Sequence, residues 1–238
     1  MKCKVNYGSL FLISFLLLAG IIIIAVVSDK SVATISERMI TDSRRCLVID
    51  AGHGGVDGGA TSCTGALESN LNLEIALKLQ ALAGLLGMKT SMIRTTDCSV
   101  YTSGKSIAAQ KVSDLKNRVK IVNETENALL ISIHQNYYSE DRYSGAQVFY
   151  PKTVGSEILA KQLQTTFVNT INRGSKRKAK PATGIYLMNN INCTGVLIEC
   201  GFLSNPQEEK QLRDPEYQNK ICCVIAATLN QYLYNSAA

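Results

Sequence analysis

No Cys-x-x-Cys pair occurs among the eight cysteines, histidine appears only twice, and charged residues make up 18% of the chain. Each shortage excludes something. Without paired cysteine spacing, a thiolate metal cluster and a disulfide-stapled scaffold are poor readings. Low charge beside 46% hydrophobic content rules out a disordered chain, a collagen and a coiled coil. No internal repeat is present, and no serine sits in a nucleophile elbow. In Gly52-His53-Gly54-Gly55-Val56-Asp57 the last position lacks the third glycine of a dinucleotide fingerprint. Gly54 and Gly59 have phosphate-loop spacing, but Ala60 stands where a lysine would hold phosphate. These glycines instead let the backbone curl closely around a ligand.

What the chain does have begins with residues 10–27, a charge-free apolar run interrupted only by Ser14 and Gly20. Eighteen residues at 1.5 Å each give about 27 Å of helix, close to the hydrocarbon thickness of a bilayer. A secretory signal has a shorter apolar region, so residues 1–29 read as an uncleaved anchor. The small-x-small triplet Ser31-Val32-Ala33 is the competing cleavage site. Lys2 and Lys4 precede the span while Asp29 and Lys30 cancel after it, which leaves the remainder outside the cytoplasm. Residues 30–45 are polar and read as a linker, and 46–238 as one domain, since removing 1–29 leaves 209 residues. With Cys3 on the inner side, seven cysteines lie outside, an odd number, and most are expected to be small buried hydrophobes.

The formal net charge is +6, and Arg173, Lys176, Arg177, Lys178 and Lys180 supply five positive charges within eight residues. Such a run is a solvated loop or an attractor for an acidic polymer or anionic headgroups. Nucleic acid is excluded as a partner for an outward-facing domain.

Short apolar runs alternate with helical patterns, which predicts an α/β domain built on a mixed, mostly parallel sheet flanked by helices. Strands are expected at Cys46–Asp50, Lys89–Arg94, Leu129–His134, Gln147–Tyr150, Gly184–Leu187 and Gly195–Glu199. Leu71, Ile75, Leu79, Leu82 and Leu86 recur at helical spacing and Gly87 closes that helix. Further helices are expected at Ser113–Asn123, Ser156–Asn172 and Pro215–Leu233.

Both histidines, His53 and His134, directly follow apolar strand candidates, and Glu199 ends a third. Sites in open α/β sheets form beyond the carboxyl ends of strands, so these residues can meet. Imidazole and carboxylate suit zinc, which in catalytic sites takes three protein ligands and leaves one position open. Glu68, at the start of a helix after a Gly-rich loop, is preferred as third ligand. Glu74 lies six residues on, turned well away from that face, and reads as an ordinary exposed residue. A further carboxylate must move the proton of the attacking water. A cysteine nucleophile would be Cys200, but strand alternation points it away from the side that Glu199 faces.

Several ordered motifs across residues 46–234 resemble the zinc-dependent N-acetylmuramoyl-L-alanine amidases of the amidase-3 group. They are Val48-Ile-Asp-Ala-Gly-His-Gly-Gly-Val-Asp-Gly-Gly-Ala60, Glu68 with Asn72-Leu73, Arg94-Thr-Thr-Asp97, Ser132-Ile-His134-x-Asn136 and Val196-Leu-Ile-Glu199-Cys-Gly-Phe-Leu-Ser-Asn205. The chain departs from the family pattern at Ala51, Gln135 and Thr194-Gly195. The resemblance implies that His53, Glu68 and His134 bind Zn²⁺, that Glu199 is the catalytic carboxylate, and that peptidoglycan is the substrate. The anchor and the Thr64-Gly-Ala-Leu-Glu-Ser69 region are most similar to the spore-cortex type, whose product becomes the muramic lactam needed for germination. An accessory activator protein is a further expected partner, and the basic stretch is expected to line the substrate groove. The competing readings are a zinc peptidase or deacetylase acting on another wall bond, and an inactive wall-binding module.

Overall fold

The computed structural model describes residues 45–236. The apolar run at 10–27 and the expected linker, apart from Arg45, lie outside those residues. Among the described residues no helix is long and apolar enough to cross a membrane.

The chain runs β1 (Cys46–Ala51), α1 (Glu68–Leu85), β2 (Lys89–Met92), α2 (Ile107–Glu124), β3 (Ala128–Asn136), β4 (Gln147–Tyr150), α3 (Ser156–Asn169), β5 (Lys180–Pro181), α4 (Tyr186–Asn190), β6 (Thr194–Phe202), α5 (Pro206–Leu212) and α6 (Pro215–Ser236). The sheet order is β2-β1-β3-β6-β4-β5. Pairings are parallel except between β4 and β6, so the sheet is mixed and mostly parallel as expected.

Central strands of a sheet covered on both faces are apolar throughout. That is why β1, β3 and β6 read as continuous runs in the sequence. Alternation then divides them between two cores. Leu47, Ile49, Ile131, Ile133 and Ile198 pack with Leu71, Ile75 and Leu79 of α1 and with residues of α3 and α6. Val48, Leu130 and Leu197 pack on the opposite face with Val122 of α2 and with Leu187 and Met188 of α4. The α1 stripe faces the sheet, and Gly87, at φ +77°, turns the chain out of the helix. There the Met88 N–H donates to Ala83 O at 3.0 Å, satisfying a terminal carbonyl.

Four expectations need correction. Gly184–Leu187 is not a strand. Gly184 takes φ +78°, and Tyr186–Asn190 closes a short helix that drops Leu187 and Met188 onto the second core. The sixth strand is Lys180–Pro181, a two-residue edge beside β4. Helix α2 starts at Ile107 rather than Ser113, because the Ser106 hydroxyl accepts from Ala109 N–H and caps an exposed first turn with no apolar stripe. Helix α5 was not expected, although Asn205 caps it, Pro206 occupies its first turn, and Glu208 and Glu209 follow. Of the seven described cysteines only Cys46, Cys200 and Cys222 are buried, whereas Cys63, Cys98 and Cys223 are exposed.

Candidate metal centre

The Gly-rich loop after β1 carries His53 at φ +61°, a left-handed conformation that costs an ordinary residue about 1–2 kcal/mol. Two buried guanidinium groups hold the backbone there. Arg118 of α2 donates to Ala51 O at 2.9 Å and to His53 O at 2.6 Å. Arg94 donates to Ala51 O at 2.8 Å, to Gly52 O at 3.0 Å and to Ser69 O at 2.7 Å, tying the loop to the start of α1. Arg118 is itself paired with Asp50 and Asp114, and the Ser132 hydroxyl donates to Asp50 at 2.7 Å. Burial alone would raise the Asp50 pKa, but Arg118, His134 and the Ser132 hydroxyl hold it below its ordinary value.

Glu68 opens α1, and its backbone and side chain are both fixed from the loop. Its N–H donates to Ala60 O at 2.9 Å, and its Oε2 accepts from Ala60 N–H at 2.9 Å. The other carboxylate oxygen, Oε1, lies 3.3 Å from His53 Nε2 and 3.0 Å from His134 Nδ1. Asn72 and the Gln135 backbone also donate to Oε1. The two imidazole rings meet edge to face, 5.0 Å between centroids. Gly52 has to be glycine, since a Cβ there would come within 2.2 Å of the His134 ring. The three side chains offer ligand atoms that all lie within 4.8 Å of one another. Two imidazoles and a carboxylate are a donor set for a catalytic zinc ion with an open fourth position.

Behind His53, Asp57 Oδ2 lies 2.9 Å from Nδ1, and Lys111 holds the other Asp57 oxygen at 2.8 Å. A carboxylate on the far nitrogen fixes tautomer and ring orientation for a metal-binding histidine. Burial pulls the His53 pKa down, but the bonds to Glu68 and Asp57 outweigh it and lift it to about 9. Burial likewise opposes ionisation of Glu68, yet the two imidazoles hold its carboxyl far below the usual carboxylate range.

Glu199 is brought in by sheet register. β6 runs parallel to β3 with Glu199 directly beside His134, and the pairing shifts just beyond, between His134 and Asn136. Its Oε2 is buried and accepts no hydrogen bond among the described residues. Burial is the main cause that pushes its pKa up to about 7. Cys200 points the other way into the α1 core, as strand alternation requires. Glu74 is exposed and accepts from Gln218 at 2.8 Å, remote in role from the cluster.

All four expected site residues therefore come together. The residues that position them were missed, namely Asp50, Arg118 and Lys111. A charge inside an amphipathic helix looks solvated until its partner strand is known. Asp57, four residues after His53 in a Gly-rich loop, carried the one signal that could have been read.

The family described as N-acetylmuramoyl-L-alanine amidase matches residues 47–231. The chain is 38% identical over 192 residues to the germination-specific N-acetylmuramoyl-L-alanine amidase of Bacillus subtilis (strain 168), covering 80% of each. It is 26% identical over 238 residues to the amidase AmiA of Salmonella typhimurium, covering 82% of this chain and 78% of that one. Its fold matches the CwlD amidase from Clostridioides difficile, solved in complex with the GerS lipoprotein, with a TM-score of 0.77. That match has 37% identity and covers 82% of this chain and 100% of the other.

Proposed function

The chain belongs to the N-acetylmuramoyl-L-alanine amidase family, and from that membership we propose that it cleaves spore-cortex peptidoglycan with a zinc ion held by His53, Glu68 and His134. The bond is the amide joining the lactyl group of N-acetylmuramic acid to L-alanine. The observation that carries the reading is the convergence of those three side chains beside a buried carboxylate with an unpartnered oxygen. When bound, zinc supplies Lewis-acid polarisation of the scissile carbonyl and lowers the pKa of water. Glu199 takes the proton of the attacking water at its unpartnered oxygen and gives it to the leaving alanine nitrogen. Burial of Glu199 disfavours its charged form, which helps it to hand the proton on once it has taken it. Asp57 and Lys111 keep the His53 ring in one orientation throughout.

Incubating peptidoglycan with the zinc-loaded protein should release stem peptides with a free N-terminal alanine, read by mass spectrometry. New reducing ends or lost acetate would replace this reading with a glycosidase or a deacetylase. Similarity to an amidase solved with a lipoprotein supports an accessory partner here too. The same assay with and without a candidate lipoprotein tests it, and an unchanged rate and zinc content would remove the partner. Residues 10–27 anchor the chain with its domain outward. The full chain should then stay with membranes after a carbonate wash, whereas a soluble form starting near Thr34 would show cleavage instead.

A further inference from the structure

A second concavity, of about 850 Å³, lies at the β4 side of β6, whereas the strand that leads to His53 lies on the β3 side. Its floor adjoins the reaction centre through the sheet. Gln147 lines it, and the antiparallel register sets Gln147 directly beside Glu199, one strand spacing of about 4.8 Å away. Its wall is the segment leading into β5, where Arg173, Lys176, Arg177, Lys178 and Lys180 all line the cavity.

These five cations lie within eight residues and line one cavity, and among the described residues none of them has a carboxylate within ion-pair distance. Like charges this dense raise the local positive potential, which favours an anion entering the cavity. The acidic lining residue, Glu208, is already engaged, accepting from the N–H groups of Gly145 and Phe202 at 2.8 Å each. Arg177 is held in place, its Nε donating to Ser144 O at 2.7 Å and its guanidinium lying 4.6 Å over the Phe202 ring. Arg173, Lys176, Lys178 and Lys180 are exposed and reach into the cavity from its rim.

Resting on the amidase reading, we propose that this groove binds the carboxylates of the stem peptide, seating the acidic side of the scissile amide. The bond to be cut joins an uncharged sugar to a peptide bearing several carboxylates. Phe202 lies three residues beyond Glu199 on β6, roughly 10 Å along the strand, so two or three peptide residues bring carboxylates under Arg177. A concave site suits an extended acidic strand better than the flat surface of a lipid headgroup layer.

The test compares KM on a soluble muropeptide and on the same compound with its carboxylates converted to carboxamides, using the zinc-loaded full chain. The wild type should show KM lower for the acidic form by about tenfold, the size expected of a few partly screened ion pairs. Added salt should erode the difference. In the variant Lys176→Gln/Lys178→Gln/Lys180→Gln the ratio of the two KM values should fall toward one, and Lys→Arg at the same positions should keep it. Equal KM values in the wild type, with both compounds cut at the lactyl amide, overturn the groove assignment and leave the amidase reading standing. So does a triple Gln variant that keeps the ratio. A wild type that cuts neither compound, with or without the candidate lipoprotein, overturns both.

Discussion

Glu199→Gln is expected to lower turnover by about 10²–10⁴-fold, the usual cost of a lost general base, with the shape of the site kept. Glutamine fills the same space between β3 and β4 but takes up no proton. The same substitution should raise the stability of the metal-free protein at alkaline pH. Burial lifts the Glu199 pKa from 4.5 to about 7, so the folded state keeps a proton that the unfolded chain has already released. Between those values stability falls as pH rises, and above about 7 the loss is complete. At about 1.4 kcal/mol per pKa unit, the variant should exceed the wild type by up to about 3 kcal/mol at pH 8, and match it near pH 4. Melting curves of chelator-treated protein across that range check the sign. Parallel profiles for the two proteins would mean that Glu199 ionises without strain.

Removing a ligand should do something different. Glu68→Ala deletes the group that bridges both imidazoles, and it also strands the N–H donors of Ala60 and Gln135. Each buried donor left without an acceptor costs about 1–3 kcal/mol, so metal-free stability should drop as well as metal affinity. Activity should fall by at least about 10³-fold, since several kcal/mol of carbonyl polarisation leave with the metal. His134→Ala should match the loss of activity with a smaller change in stability. Glu74→Ala is expected to be nearly silent, within about 0.5 kcal/mol, because Glu74 is exposed and Gln218 keeps Leu212 O as an acceptor. Rates on peptidoglycan beside melting temperatures separate these cases, and an inactive Glu74→Ala would mean that α1 presents its other face to the site.

Much of this arrangement was legible in the sequence because burial leaves periodic marks. The runs at Cys46–Asp50, Leu129–His134 and Gly195–Glu199 stand out since both faces of the central strands are covered. Two histidines and one glutamate at their ends are then a site by topology. Glu68 was preferred because it opens a helix directly after the Gly-rich loop, and helix phase set Glu74 on another face. The supporting structure was not legible, because it depends on pairings distant in sequence. Arg118 reads as a solvated charge until Asp50 is known to lie opposite, 68 residues away. Gln147 becomes a neighbour of Glu199 only through one antiparallel strand in a parallel sheet. Gly184–Leu187 misled because Ile185 and Leu187 alternate like a strand, while the turn at Gly184 redirects the same side chains onto the core from a helix. Cysteine burial has no periodic signature, and three of the seven described cysteines proved exposed.

The central claim is a division of labour between two glutamates, one holding the metal and one moving the proton. Metal analysis of purified Glu199→Gln beside Glu68→Ala, each loaded with zinc and dialysed alike, tests it most directly. The account predicts close to one zinc per chain in Glu199→Gln and a strongly depleted Glu68→Ala. A Glu68→Ala that keeps its zinc while Glu199→Gln loses it would contradict the account, because the two carboxylates would then have exchanged roles.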